Sequence, residues 1–230
     1  MIRRHLFAAL AAACAALALP AGASAQLIEV GSVATEATPS CPSNPCLAVS
    51  RTTGYQAKVG ERRGLMVIPA DGRIVAWTIK LARPGRRQIE YFNSLARGEA
   101  IAHITILRTG RRLRARTVAQ GEPRRLTPFF GTTVQFALER SIPVEKGQLL
   151  ALTVPTWAPA LAVGLGADTS WRASRARGTC DDTREQTAQT QANQLAQYYC
   201  LYKTARLTYS ATLVTRAQRA NPPRRTTRPR

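Results

Sequence analysis

Hydrophobic and polar residues alternate through most of the middle of the chain. In "ADGRIVAWTIKLA" (70–82), an Asp71-Gly72 turn leads into Val75, Trp77, Ile79 and Leu81 at every second position. That two-residue period places one face of a strand in a core and the other in water. "IAHITILRTGRRLRARTV" (101–118) consists of two alternating runs about Thr109-Gly110 and predicts a hairpin. "TTVQFALERSIPVEKGQLLALTVP" (132–155) sets Val134, Phe136 and Leu138 on one face, turns between Pro143 and Gly147, and continues as a buried run from Leu149 to Val154. "LAVGLG" and "SWRASR" predict two further short strands. "ARLTYSATLV" (205–214) closes the pattern, with Leu207, Tyr209, Ala211 and Leu213 inward and Thr208, Ser210 and Thr212 outward.

Many short strands punctuated by Gly and Pro, with no long helical period, predict an all-β domain. Its expected form is two packed antiparallel sheets, a jelly-roll-like β-sandwich. The domain is expected over residues 41–214, preceded by a linker or edge segment at 26–40. Two stretches depart from the alternation. "RQIEYFNSLARGEA" (87–100) reads as a short helical turn or an irregular edge. Between Cys180 and Cys200 the chain is rich in Gln, Thr and Ala, and Asp182 with Glu185 resembles a helix-start capping arrangement, so a short helix is expected there.

The ends add a compartment. "MIRRHLFAALAAACAALALPAGASA" (1–25) begins with Arg3 and Arg4, runs apolar from Leu6 to Leu19 and ends in an A-S-A site, the layout of a cleaved secretory signal. The apolar run is short for a bilayer core that needs about 20 residues. At the other end "TRAQRANPPRRTTRPR" (215–230) has six arginines, no acid and no large apolar residue, and is expected to be a disordered tail. Without Cys14 of the signal, Cys41, Cys46, Cys180 and Cys200 remain, an even number that predicts two disulfides in an exported protein. Three pairings are open; locality favours Cys41–Cys46 and Cys180–Cys200. Neither pair has the C-x-x-C spacing common in zinc sites.

The stretches "PADGRIVAW", "IPVEKGQLLALTVPTWAPAL" and "ARLTYSATL" give residues 60–215 a resemblance to uncharacterised secreted β-sandwich proteins of high-GC bacteria. The resemblance implies compartment and fold. It supplies no activity and no site residue.

Charge opens the functional question. The chain carries 33 Lys and Arg against 13 Asp and Glu, a net +20 at pH 7. Codon bias towards arginine and a need for solubility are the plainer reading. Attraction to an anionic cell-wall polymer, a polysaccharide or a membrane surface is the sharper one; no specific nucleic-acid motif is present. In "RRLRARTV" (111–118), Arg112, Arg114 and Arg116 fall on alternate positions, which on a strand lie about 6.7 Å apart on one face. Such a comb can hold phosphate, sulfate or carboxylate, and equally protects an exposed edge from pairing with another chain. Leu113, Ala115 and Thr117 are expected beneath it, with Arg124 and Arg125 close by.

Catalytic chemistry is sparse. Outside the signal the single histidine is His103, within the alternating "IAHITIL", where a sheet-face role is expected rather than a catalytic one. There is no G-x-S-x-G elbow and no phosphate-cradling loop; "VGLGAD" lacks the third glycine. No metal site and no cofactor are expected. Asp181-Asp182 is weighed for calcium and read as a solvated loop start. Trp157, between two prolines in "VPTWAPAL", is the candidate sugar contact on a rigid exposed loop, with Tyr198, Tyr199 and Tyr202 able to extend that surface; Trp77 is assigned to the core. The expectation is a non-enzymatic secreted or cell-envelope β-sandwich with a binding or structural role, adhesion to anionic polymers being the binding role considered. The alternative is a carbohydrate-binding module, or a hydrolase acting on polysaccharide or lipid.

Overall fold

The computed structural model describes residues 24–32, 37–182 and 184–216; the expectations for residues 1–23 and 217–230 lie outside them. In chain order the elements are β1 (Leu27–Val30), β2 (Val49–Val59), β3 (Arg62–Arg63), β4 (Gly72–Lys80), helix α1 (Arg86–Ala96), β5 (Ile101–Thr109), β6 (Arg114–Gln120) and β7 (Arg124–Arg125). They continue with β8 (Thr133–Val144), β9 (Leu149–Ala158), β10 (Leu161–Ala162), β11 (Ser170–Ala173), β12 (Leu195–Gln197), β13 (Cys200–Lys203), β14 (Arg206–Leu207) and β15 (Tyr209–Thr215). One sheet has the order β1-β15-β4-β8. The other runs β12-β6-β5-β9-β2-β11-β13, with β3 on β2 and β7 on β5, and β10-β14 forms a separate ribbon. The protein is all-β, with antiparallel sheets packed against each other and one sheet curled as a half-barrel.

The interior follows from the alternation. Ile104 and Ile106 of β5, Leu150, Leu152 and Val154 of β9, and Ile74, Trp77 and Ile79 of β4 are sealed from water and meet residues of β15 in one core. Burial of each such side chain contributes about 1.5–3 kcal/mol. In β4 the expected phase slips. A bulge opposite β15, where Ala76 and Ile74 face the consecutive residues Thr212 and Leu213, makes Ile74 the buried residue and leaves Val75 half-exposed, while Trp77 and Ile79 keep their inward positions. An extra residue on one strand reverses the facing of everything before it.

Thr208 also departs from expectation, being buried rather than outward. The chain changes sheets there: Leu207 pairs with Leu161 and Tyr209 with Ile79. Its hydroxyl donates to the Lys80 carbonyl at 2.7 Å, and its N–H donates to the Ala160 carbonyl at 3.1 Å. A hydroxyl at a strand crossing satisfies carbonyls that neither ladder reaches.

Helix α1 is the one α-helix among the described residues. Gly85 begins it, with the Gln88 side chain accepting the Gly85 N–H at 2.7 Å, and Phe92 and Ala96 face the core. Among its described residues the Cys180–Cys200 segment holds no helix. Asp182 does accept the N–H groups of Arg184 and Glu185, but the segment continues as turns and β12. The competing partner is the outer face of the larger sheet. There Thr53, Thr105 and Thr153 are buried in a hydroxyl ladder with oxygens 2.6 and 2.8 Å apart. Gln189 donates its N–H to Thr53 and its amide to Ala115 and Gln194 carbonyls, and accepts the Tyr198 hydroxyl. A polar loop here plugs a polar sheet face, and a helix would withdraw those groups.

Both favoured disulfides form, Cys41–Cys46 and Cys180–Cys200. The second closes the loop that carries β12 onto the rim of β6. β15 extends through Thr215, and Arg216 donates its N–H to the Asp71 carbonyl, so strand pairing reaches into the segment expected as tail. Replacing Cys180 and Cys200 with alanine should cost about 3 kcal/mol, the entropy returned to a loop of this length. A urea unfolding curve would read this as a lower midpoint; an unchanged midpoint would contradict the assigned role.

Candidate functional site

The arginine comb is only partly a strand. Arg111–Leu113 forms a single tight helical turn in which Arg112 (φ 56°) and Leu113 (φ 58°) take left-handed backbone. The Gly110 N–H donates to the Arg114 carbonyl at 2.7 Å, so residues 110–114 are consumed in reversing the chain. Arg112 therefore leaves the row, and Leu113 is exposed rather than buried beneath it. Arg114 and Arg116 do share the exposed face of β6, over buried Ala115 and Thr117. β6 is no edge, because β12 pairs with it and puts Leu195 opposite Arg116 and Gln197 opposite Arg114. Protection of a bare edge does not explain the arginines.

Sheet pairing adds two basic groups that the local spacing did not reveal. Arg108 of β5 lies directly opposite Arg116, a placement that costs roughly 0.2–1 kcal/mol by like-charge repulsion. Arg108 also pairs with Glu145 at 3.4 Å, and Arg116 donates to the Asn193 carbonyl at 2.7 Å. Next to Glu145, Lys146 donates its N–H to the Asp71 carboxylate at 2.8 Å, and the Asp71 carbonyl receives the Arg216 N–H. Arg116, Arg108, Lys146 and Arg216 thus follow one another along one end of the body. Glu145 and Asp71 are the acids interleaved with them. Among the described residues the side chains of Arg111, Arg112 and Arg114 have no carboxylate within salt-bridge distance. Arg124 and Arg125 do not join this patch. Arg125 grips Glu99 through two nitrogens, at 2.7–3.1 Å, and Arg124 sits between Glu122 and Glu139.

Trp157 is not an exposed sugar platform. It lies in β9 with no exposed surface, its indole N–H donating to Asn93 Oδ1 at 2.8 Å and its ring stacked on Phe92 at 4.9 Å. The prolines around it belong to strand and strand end rather than to a loop, so the ring is free to serve as the pin between α1 and the sheet. Tyr198 is equally buried, while Tyr199 is partly exposed beneath Arg177. Tyr202 stacks on Trp171 at 4.7 Å, and these two rings line a cavity of about 430 Å³ with Leu47, Val49, Leu161 and Lys203. Glu122 and Glu139, two carboxylates brought together, share Arg124 and belong to none of that wall. Asp181 borders the same cavity, and Asp182 is occupied by backbone N–H groups. Among the described residues no three His, Cys, Asp or Glu side chains gather as a metal set, and no helix is long and apolar enough to cross a membrane.

No protein-family model, curated protein or solved structure matches this chain.

His103 is buried, 3% exposed, with a ring nitrogen 3.2 Å from the Ile104 carbonyl. Burial pushes its pKa below the ordinary 6.5, with the carbonyl contact opposing. The folded protein therefore holds the neutral ring. Above pH 6.5 this costs nothing, and as pH falls below that value the unfolded chain takes up a proton the folded one resists. Urea midpoints should accordingly decline on acidification below about pH 6.5, and His103→Gln should flatten the decline. Parallel pH profiles for the two proteins would show that His103 contributes nothing to it.

Proposed function

We propose that this protein is a non-enzymatic exported β-scaffold that adheres to phosphate- or carboxylate-bearing polymers through the basic end formed by β5, β6 and the Glu145–Gln148 turn. The observation that carries the reading is the opposition of Arg108 and Arg116 beside Arg111, Arg112 and Arg114, against one contacting carboxylate among the described residues, Glu145. A folded protein tolerates that repulsion at small cost in water, and a polyanion converts it into attraction. Arg216 lies at the same end, its N–H held by the Asp71 carbonyl. Two disulfides suit an oxidising compartment, in keeping with the leader-like first residues.

The Trp171–Tyr202 cavity supports a second reading, a binding module for a small apolar ligand. Its size falls in the range of about 300–1,000 Å³ usual for such sites.

Retention of the full chain on a phosphate-bearing matrix should fall steeply with salt. Replacing Arg108, Arg112, Arg114 and Arg116 together with glutamine should lower the slope of log affinity against log salt by about 0.7–0.9 per lost contact. Truncation after Arg216 should weaken retention without abolishing it. Retention that ignores the four substitutions and vanishes with the tail would refute the role of this surface.

A further inference from the structure

A second basic feature lies elsewhere, at the opposite end of the larger sheet's strands. A cleft of about 440 Å³ is lined by Arg51, Ser94, Leu95, Arg97 and Arg184. Its three arginines come from separate parts of the chain: the start of β2, the residue that caps α1, and the disulfide-closed loop. Among the described residues none of them has a carboxylate within salt-bridge distance. The acids nearest in sequence are Glu99, committed to Arg125; Asp182, which accepts the N–H groups of Arg184 and Glu185; and exposed Glu185 itself. Arg51 is half-buried, and its Nε is sealed from solvent with no hydrogen-bond partner.

The backbone under these side chains is as unusual as their charge. Arg51 (φ 50°) and Arg97 (φ 57°) both occupy the left-handed region, which a residue with a Cβ adopts at a cost and which helix ends commonly assign to glycine. Arg51 also sits where the β2–β9 register slips, between Ser50 and Thr52. Such bulges turn a side chain away from the sheet's regular facing.

The surrounding contacts fix the cleft. The Arg51 carbonyl accepts both the N–H and the hydroxyl of Thr187, and Gln186 donates to the Pro155 carbonyl, so the loop bearing Arg184 is tied to β2 and β9. On the other wall, Asn93 is held by the buried Trp157 indole, one residue before Ser94 in the last turn of α1. Three guanidinium groups and a hydroxyl, each on an anchored segment, make a donor set suited to the several oxygens of a tetrahedral dianion.

We propose that Arg51, Arg97, Arg184 and Ser94 form a binding site for one tetrahedral oxyanion, a phosphate or sulfate group, either free or carried as a monoester. The site is separate from the β5–β6 surface and does not depend on it. A polymer gripped along its backbone engages that surface; the cleft takes a single terminal group.

The full chain is titrated calorimetrically with inorganic phosphate and with sodium sulfate at constant ionic strength, and separately with vesicles containing phosphatidic acid. The cleft site predicts saturable binding of one equivalent, weakened at least tenfold by Arg51→Gln and by Arg184→Gln. Arg97→Gly is the decisive variant, since glycine suits the left-handed cap: melting temperature without anion should hold or rise while binding falls by a similar factor. The Arg112, Arg114 and Arg116 glutamine triple variant should bind the free anions as the parent does. Saturation by the free salts assigns a soluble anion, and binding confined to vesicles but equally sensitive to Arg97→Gly assigns a lipid headgroup. Non-saturating heats in every arm, or affinities unchanged in all three cleft variants, would overturn the site.

Discussion

The hydroxyl of Tyr209 ties the two layers together. Tyr209 belongs to β15 in the smaller sheet, yet its oxygen lies 3.2 Å from the Gly54 carbonyl of β2 and 3.2 Å from the Leu150 carbonyl of β9, both in the larger one. The residue is 4% exposed, and burial holds its phenol well above the ordinary pKa, so it is a neutral donor. A buried hydroxyl left without acceptors costs about 1–3 kcal/mol, so the layers are held at the one spacing and offset that satisfy it. Apolar burial supplies most of the cohesion between the sheets but is indifferent to small slides. Tyr209 selects among them.

Once the inner faces are committed to each other, chemistry is left to the outer face and the strand ends. The outer face of the larger sheet carries the buried threonine ladder, and the disulfide loop covers it with glutamine amides and the Tyr198 hydroxyl. That cover places Arg184 beside Arg51 and lays β12 along β6 with Leu195 opposite Arg116. The same polar loop therefore frames both basic features, one at each end of the strands. His103 and Trp157, the residue types most suggestive of activity or sugar contact, are spent on packing.

The alternation in "IAHITIL" and "ARLTYSATL" was a sound guide because it records which face meets a core, a local matter. What it missed was decided at a distance. Val75 lost its inward place to Ile74 through a bulge opposite β15, and Thr208 turned inward because the chain changes sheets there. Trp157 read as a loop residue between prolines until α1 supplied Phe92 and Asn93 as partners. Of the comb, Arg114 and Arg116 were legible from spacing, while Arg112 was taken by the turn. Arg108 became part of the surface only through register. The Arg51, Arg97 and Arg184 cleft joins three remote segments, so no spacing rule reaches it; two arginines in left-handed backbone are a signal visible only in the fold.

Native-state hydrogen exchange tests the coupling of the layers most directly. If Tyr209 locks the sheets into one cooperative unit, amides of Leu150 and Leu152 in β9 and of Ala211 and Leu213 in β15 exchange through the same global opening. Tyr209→Phe should then lower the opening free energy of both groups equally, by about 1 kcal/mol. Distinct opening energies for the two strands in the parent protein, or a loss confined to one of them in the variant, would contradict the account.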